Sequence, residues 1–200
     1  MDFHEFLRSR RSVRRFRAQA IPEETVQRML ATAVCAPSAH NRQPWRFCVL
    51  RGAAAKARLA DRMAADFRRD LQSDRLPADE IEKRVAGSRA RINGAPLVVV
   101  LCMDMSEMDV YPDERRASAE RMMAIQSTAA AGLQLLLAAH AEGLASVWTC
   151  GPLFAPEVVR EALALDATWE PQAMFFIGQA DQQSRKKEMK EMESVVRRYE

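Results

Sequence analysis

The chain has 200 residues, 48% of them hydrophobic and 28% charged, and a formal net charge of +3. A chain of this length buries roughly 70% of the surface it exposes unfolded, so composition fits one folded domain and argues against disorder. The apolar runs at 95–103 and 128–141 read as too short or too interrupted to cross a bilayer, which needs about 20 apolar residues. Met1 to Phe6 carries acids and runs into arginines, unlike a secretory signal, and the expected setting is cytoplasmic with no membrane partner.

Cys35, Cys48, Cys102 and Cys150 are widely spaced, without a CxxC pair, and read as free thiols in a reducing compartment. His4, His40 and His140 are equally scattered, with no metal-binding spacing, so no metal is expected. Charge is uneven: six arginines fall between Arg8 and Arg17. Such an excess requires an anion or full solvation.

The predicted elements begin with a short helix carrying Phe3, Phe6 and Leu7, followed by the arginine segment. A second helix opens at Pro22, with Glu23 and Glu24 complementing its dipole and Val26, Met29, Leu30, Ala33 and Val34 on one face; it stops by Pro37. Trp45 to Leu50 reads as a strand. Polar helices over Ala53–Leu71 and Pro77–Ile92 read as an exposed excursion that covers something. The valine-rich run from Pro96 to Met103 predicts a buried central strand.

A helix from about Asp113 to His140, closed by Gly143, is apolar on nearly every side in its second half, which predicts burial by the sheet and by a partner subunit. Ala145–Thr149 as a strand, Pro156–Leu165 as a helix and Gln172–Ile177 as a strand complete the body. A charged tail runs from Ser184. No repeat or linker divides the chain, and the reading is a single domain over 1–200.

Two segments carry candidate chemistry. In RSRRSVRRFR, Arg10, Ser12 and Arg14 alternate, so an extended backbone points them the same way toward one anion. A phosphate site and a nucleic-acid arm are both compatible with that pattern. In APSAHNRQPWRF, Pro37 and Ser38 allow close approach to a planar heterocycle, while Asn41 and Gln43 offer polar groups to its edge; His40 reads as a loop residue. Pro44 and Trp45 equally suit a strand cap and core filling.

The pair RRSVRRF and APSAHNRQPWRF, with a long central helix, GLASVWTCGPLF and EPQAMFFIGQA in order after it, resembles the nitroreductase superfamily over nearly the whole chain. The resemblance implies an α+β fold with a central, mostly antiparallel sheet flanked by helices, assembled as an intertwined homodimer with FMN at the subunit interface. It implies that Arg10, Arg11, Ser12 and Arg14 bind the FMN phosphate, ribityl chain and part of the ring. Pro37, Ser38, Ala39 and Asn41, supported by Gln43, reach the ring from the second subunit; Thr149, Cys150 and Gly151 lie beside it; Arg185 and Lys187 finish the phosphate site.

Chemistry is then centred on the flavin, with no catalytic side chain. NAD(P)H is a transient donor, a nitroaromatic or quinone the small acceptor, and nucleic acid no partner. Helices 53–92 cover the flavin and the tail 184–200 reaches the partner subunit. DFRRDLQSDRLPADEIEKRV, YPDERRASAER and LFAPEVVREALALDATWEPQAMFFIG further resemble the nitroreductase-like domain of the deazaflavin-coenzyme glutamyl ligase, implying reduction of a dehydro precursor as an alternative. A flavin-binding module without turnover is the other alternative.

Overall fold

The computed structural model of the chain describes residues 2–182 and 188–199. Its strands are β1 (Trp45–Leu50), β2 (Leu97–Asp104), β3 (Ala145–Thr149) and β4 (Trp169–Gly178). They form one sheet in the order β1-β2-β4-β3, and every neighbouring pair is antiparallel.

All eight residues of β2 are buried, because both faces of the sheet are covered. Leu97, Val99 and Leu101 meet a layer made by α2 (Glu23–Ala33) and α5 (Glu114–Ala141), with Phe175 and Ile177 from β4. Val98, Val100 and Cys102 face the opposite layer, with Leu59, Ala60 and Met63 of α3 (Ala53–Ser73), Ile92 of α4 (Ala78–Gly94), and Val159 and Ala162 of α6 (Pro156–Leu163). A two-sided cover removes the apolar-polar alternation of a half-exposed strand, which is why β2 is a continuous apolar run.

The first helix, α1 (Phe3–Ser9), is opened by a capping box in which Asp2 accepts from the Glu5 amide at 2.8 Å. Phe6 stacks on His140 at 4.8 Å and Phe3 on Phe6 at 6.3 Å, while Phe3 and Leu7 stay exposed.

Three expectations are corrected. The last strand begins at Trp169, ahead of Gln172; the register slips between Leu101 and Cys102, so Pro171 sits at an irregularity that accommodates its missing donor. Helices α3 and α4, read as an exposed excursion, are exposed on their outer faces only. The first half of α3 packs on the sheet, and its second half joins α4 through Ala64, Leu71, Ile81 and Val85. Several of their arginines and acids pair on outer faces, as Arg68 and Glu82 do at 2.9 Å.

The third correction concerns α5, which by length and composition is long and apolar enough to cross a membrane, although half of its most apolar stretch is buried inside the fold. It is a core helix laid on the sheet, with Met122 and Leu133 turned outward.

Close approach of α5 to the sheet depends on Gly132. A Cβ there would lie 2.7 Å from the Trp148 ring and 2.9 Å from Leu101. Trp148 in turn meets Phe175 edge-on at 5.0 Å. Overpacking of this kind costs about 1–3 kcal/mol. Gly132→Ala is therefore expected to destabilise the protein by about that amount, read as a lowered midpoint in urea unfolding; an unchanged midpoint would show that the contact is soft.

Candidate functional site

The arginine segment lies along the outer edge of β3. The Val13 amide donates to the Ser146 carbonyl at 3.1 Å and the Arg17 amide to Gln179 at 2.9 Å, while Asp181 donates back to Arg15 at 3.1 Å. Ser12 bridges Ser146 in parallel and Phe16 bridges Ala180 antiparallel. Val13 is buried and its neighbours Ser12 and Arg14 are exposed, as an extended backbone requires.

At the head of β3 these residues border a cavity of about 220 Å³, lined by Ser9, Arg10, Arg11, His140 and Ser146 among others. Arg10 Nη1 is buried there without a hydrogen-bond partner. A buried donor left unmade costs about 1–3 kcal/mol, and an anion in the cavity removes that cost. Arg11 differs: its Nη1 donates to the Arg8 carbonyl and, at 2.9 Å, to that of Arg10. One guanidinium thus shapes the turn while the other keeps an N–H free.

His140, which the sequence reading passed over, closes this cradle with its Nε2 at 2.7 Å from Ser9 Oγ. Burial, followed by the positive charge of Arg10, pushes its pKa below the ordinary histidine value, against a backbone hydrogen bond that raises it. Ser146 was missed as well. Only the pairing of the arginine segment with β3 brings either residue beside Arg10.

The other end of β3 carries Thr149, Cys150 and Gly151. Thr149 Oγ1 donates to the Met174 carbonyl at 3.0 Å, and Trp148 Nε1 donates to the exposed Cys150 Sγ at 3.2 Å. From Ser146 to Cys150 the strand runs roughly 13 Å at about 3.3 Å per residue. A ligand with a phosphate at one end and a flat ring at the other fits that edge. All four cysteines are free, and burial pushes the Cys102 thiol up to about 12.

The segment from Pro37 to Gln43 lies elsewhere. Its backbone holds His40, Asn41 and Gln43 at φ of 50°, 53° and 50°. Left-handed conformations cost non-glycine residues about 1–3 kcal/mol and persist only where the surroundings enforce them. Here Ser38 Oγ accepts from the Gln43 amide and Ser127 Oγ from the Ala39 amide, both at 3.1 Å. Gln43 Nε2 reaches Asn41 Oδ1 at 3.4 Å. Arg46 donates to the Gln43 carbonyl at 3.1 Å and pairs with Asp104 at 3.2 Å, while Arg42 pairs with Asp109. Burial opposes the Asp104 charge, but Ser106 and Arg46 outweigh it and hold its pKa below the usual carboxylate value.

The two motifs are not brought together within one chain. Strands β1 and β3 are opposite edges of the sheet, three strand spacings or about 14 Å apart. Trp45 is level with Met103, whereas Ser146 is level with Ile177, whose partner on β2 is Leu97. The segments therefore occupy opposite corners. Pro37, Asn41 and Gln43 are exposed, with Ser38 and Ala39 half-buried. Arg185 and Lys187 lie outside the described residues.

The sequence pattern of the Nitroreductase family matches residues 7–179. The chain belongs to the nitroreductase family. Among relatives of this nitroreductase-family chain, a 5,6-dimethylbenzimidazole synthase of Rhodospirillum rubrum is 36% identical over 179 residues, covering 84% of the chain and 77% of the relative. A protein described as an NADH dehydrogenase/NAD(P)H nitroreductase of Methanothermobacter thermautotrophicus is 29% identical over 149 residues, covering 74% of the chain; the chain spans 61% of that relative's length. A solved structure from Desulfovibrio desulfuricans, described as a nitroreductase in complex with FMN, superposes with a TM-score of 0.74 at 26% identity, covering 98% of this chain and 96% of that one. The unpartnered Arg10 N–H at the head of β3 is a donor suited to an anionic group such as a phosphate.

A folded-state pKa below the unfolded value means that the fold favours neutral His140. Its contribution to stability is full above the ordinary value of 6.5 and is lost as pH falls through the lowered one. A phosphate dianion in the cradle reverses the local charge. His140 is expected to titrate below the ordinary value in FMN-free protein and above it once FMN is added, by NMR. A titration unmoved by FMN would separate His140 from the phosphate.

Proposed function

We propose that the protein transfers reducing equivalents from NAD(P)H, through FMN bound along the β3 edge, to a small acceptor such as a nitroaromatic or quinone. The observation that carries this reading is the buried, unpartnered Nη1 of Arg10 at the head of β3. In this reading Arg10, Ser12 and Arg14 hold the phosphate and ribityl chain, and Arg11 braces the turn. Thr149, Cys150 and Gly151 flank the ring, and Arg185 and Lys187 complete the phosphate site. The flavin supplies reversible hydride chemistry when bound; the chain orients it and tunes it through hydrogen bonds.

The site is completed by a second copy, whose Pro37, Ser38, Ala39, Asn41 and Gln43 reach the ring. Two observations support a homodimer: the two motifs sit at opposite corners of one chain, and Met122 and Leu133 on α5 stand exposed with Met189, Val195 and Tyr199 of the tail. The tail beyond Ser184 is then a reach toward the partner. Four free thiols favour a reducing, cytoplasmic setting.

Synthesis of 5,6-dimethylbenzimidazole is a second reading, favoured by the relative of that name at 36% identity. Reduction of a deazaflavin precursor rests on the sequence resemblance to the glutamyl ligase domain, and no relative reported above is such a ligase. Product analysis after incubation with reduced FMN and oxygen separates the synthase from the reductase. Bound flavin that stays oxidised with both NADH and NADPH would leave a binding module.

Purified protein is expected to be yellow, and Arg10→Ala to weaken FMN binding by about 10-fold to 100-fold, the worth of a charge-assisted hydrogen bond. FMN is also expected to slow alkylation of Cys150 while leaving the exposed Cys35 reactive. Equal rates at Cys150 with and without FMN would overturn the placement of the ring.

A further inference from the structure

Glu120, in the first half of α5, belongs to neither of the two motifs. It is 1% exposed, and among the described residues its Oε2 finds no hydrogen-bond partner. It stands one turn before Ala124, which packs with Met103 and Met108 in an apolar cluster. Burying a carboxyl with one oxygen unmet is costly, and a position that only needed filling would be better served by an apolar side chain of similar size. The use of the carboxyl lies in its other oxygen: Oε1 accepts from the Asp109 amide at 3.2 Å.

That bond is the first link of a relay. Asp109 lies in the middle of the connection between β2 and α5, and its carboxylate pairs with Arg42. Arg42 stands between Asn41 and Gln43, both held at positive φ, and its amide closes the short turn onto the Ala39 carbonyl at 3.0 Å. An ion pair as exposed as Asp109–Arg42 fixes little by itself, because water screens it and two side chains lose freedom in making it. Pinning the Asp109 backbone from the core removes part of that cost.

The same helix face holds the loop a second time. Ser127 follows Glu120 at the i, i+7 spacing, and its Oγ accepts from the Ala39 amide at 3.1 Å. Ser127 thus grips the start of the loop directly. Glu120 grips its far half at one remove.

We propose that Glu120 is a positioning residue: through Asp109 and Arg42 it fixes Asn41 and Gln43 for the flavin of the partner subunit, and not for the flavin on its own β3 edge. The inference rests on the reading that FMN lies along the β3 edge and that the 37–43 loop reaches it from a second copy. It adds the buried group that sets the loop and the subunit on which that group acts.

FMN release on dilution of the holoprotein, followed by the fluorescence of free FMN, reads the loop's hold without any acceptor. Glu120→Met is expected to release FMN about tenfold faster, the worth of about one hydrogen bond, without lowering the urea midpoint. Glu120→Gln keeps an acceptor for the Asp109 amide and is expected to restore slow release. Arg42→Gln, at an exposed position, breaks the same relay outside the core and is expected to match Glu120→Met, with the double variant no faster than either.

Mixed dimers of one Arg10→Ala chain and one Glu120→Met chain, recovered through two different tags, decide the direction. Action across the interface leaves one site with both lesions and the other intact, so half of the FMN is expected to leave at the wild-type rate. Where Glu120→Met does not fold, Arg42→Gln takes its place in the mixed dimer with the same expectation. Wild-type release from both Glu120→Met and Arg42→Gln, additive effects of the two, or a mixed dimer with no fraction at the wild-type rate overturns the inference and leaves the flavin reading standing. A monomeric chain, or Arg10→Ala protein that holds FMN as the wild type does, overturns the reading on which it rests.

Discussion

The contact between α5 and the sheet at Gly132 is the constraint on which the rest of the molecule hangs. With no side chain at that position, the helix descends onto Leu101 and the Trp148 ring. Trp148 is a β3 residue, so the same contact sets how far that edge strand stands from the core. Its indole N–H then reaches Cys150, at the start of the turn beside the candidate ring site. At its other end β3 receives the arginine segment through the Val13–Ser146 hydrogen bond. One missing methyl group thereby governs both ends of a strand of five residues.

Edge strands carry unpaired backbone groups, and this fold uses that property at one edge in two ways. The arginine segment pairs with the beginning of β3 and turns Ser12 and Arg14 outward. Past that bridge the strand edge is open to a ligand that needs backbone donors. Electrostatics divide along the same line. Positive charge gathers at the head of β3 around Arg10, and Thr149, Cys150 and Gly151 at its other end are uncharged. A long ligand with an anionic head and an uncharged ring matches that polarity without any further device.

At the opposite corner the Pro37–Gln43 loop is held in a costly backbone by a small set of hydrogen bonds from Ser38, Ser127 and Arg46. Strain of this kind is retained where a fixed shape has a use. Asp104 anchors Arg46, and Asp109 anchors Arg42, so the loop is tied to the end of β2 and to the middle of the β2–α5 connection. Its exposed residues present polar groups away from the chain that holds them, which is the geometry a shared site requires.

Much of the fold was legible in the sequence, because helix and strand periodicity are local. The limits of β1 and β3 follow from turn residues and apolar runs, and the continuous apolar stretch of β2 announces a strand covered on both sides. The alternation of Arg10, Ser12 and Arg14 around Val13 likewise implies an extended backbone with one buried side chain. Three things were decided only by tertiary structure. Arg11 turns onto backbone carbonyls while Arg10 keeps a free N–H, a difference between identical neighbours set by how the segment meets β3. His140 and Ser146 join Arg10 around one cavity, and Asp70 and Asp74 border another, through contacts between elements distant in the chain. The two motifs, separated in the sequence only by α2, stand at opposite corners because strand order, which no local pattern encodes, puts β1 and β3 on opposite edges.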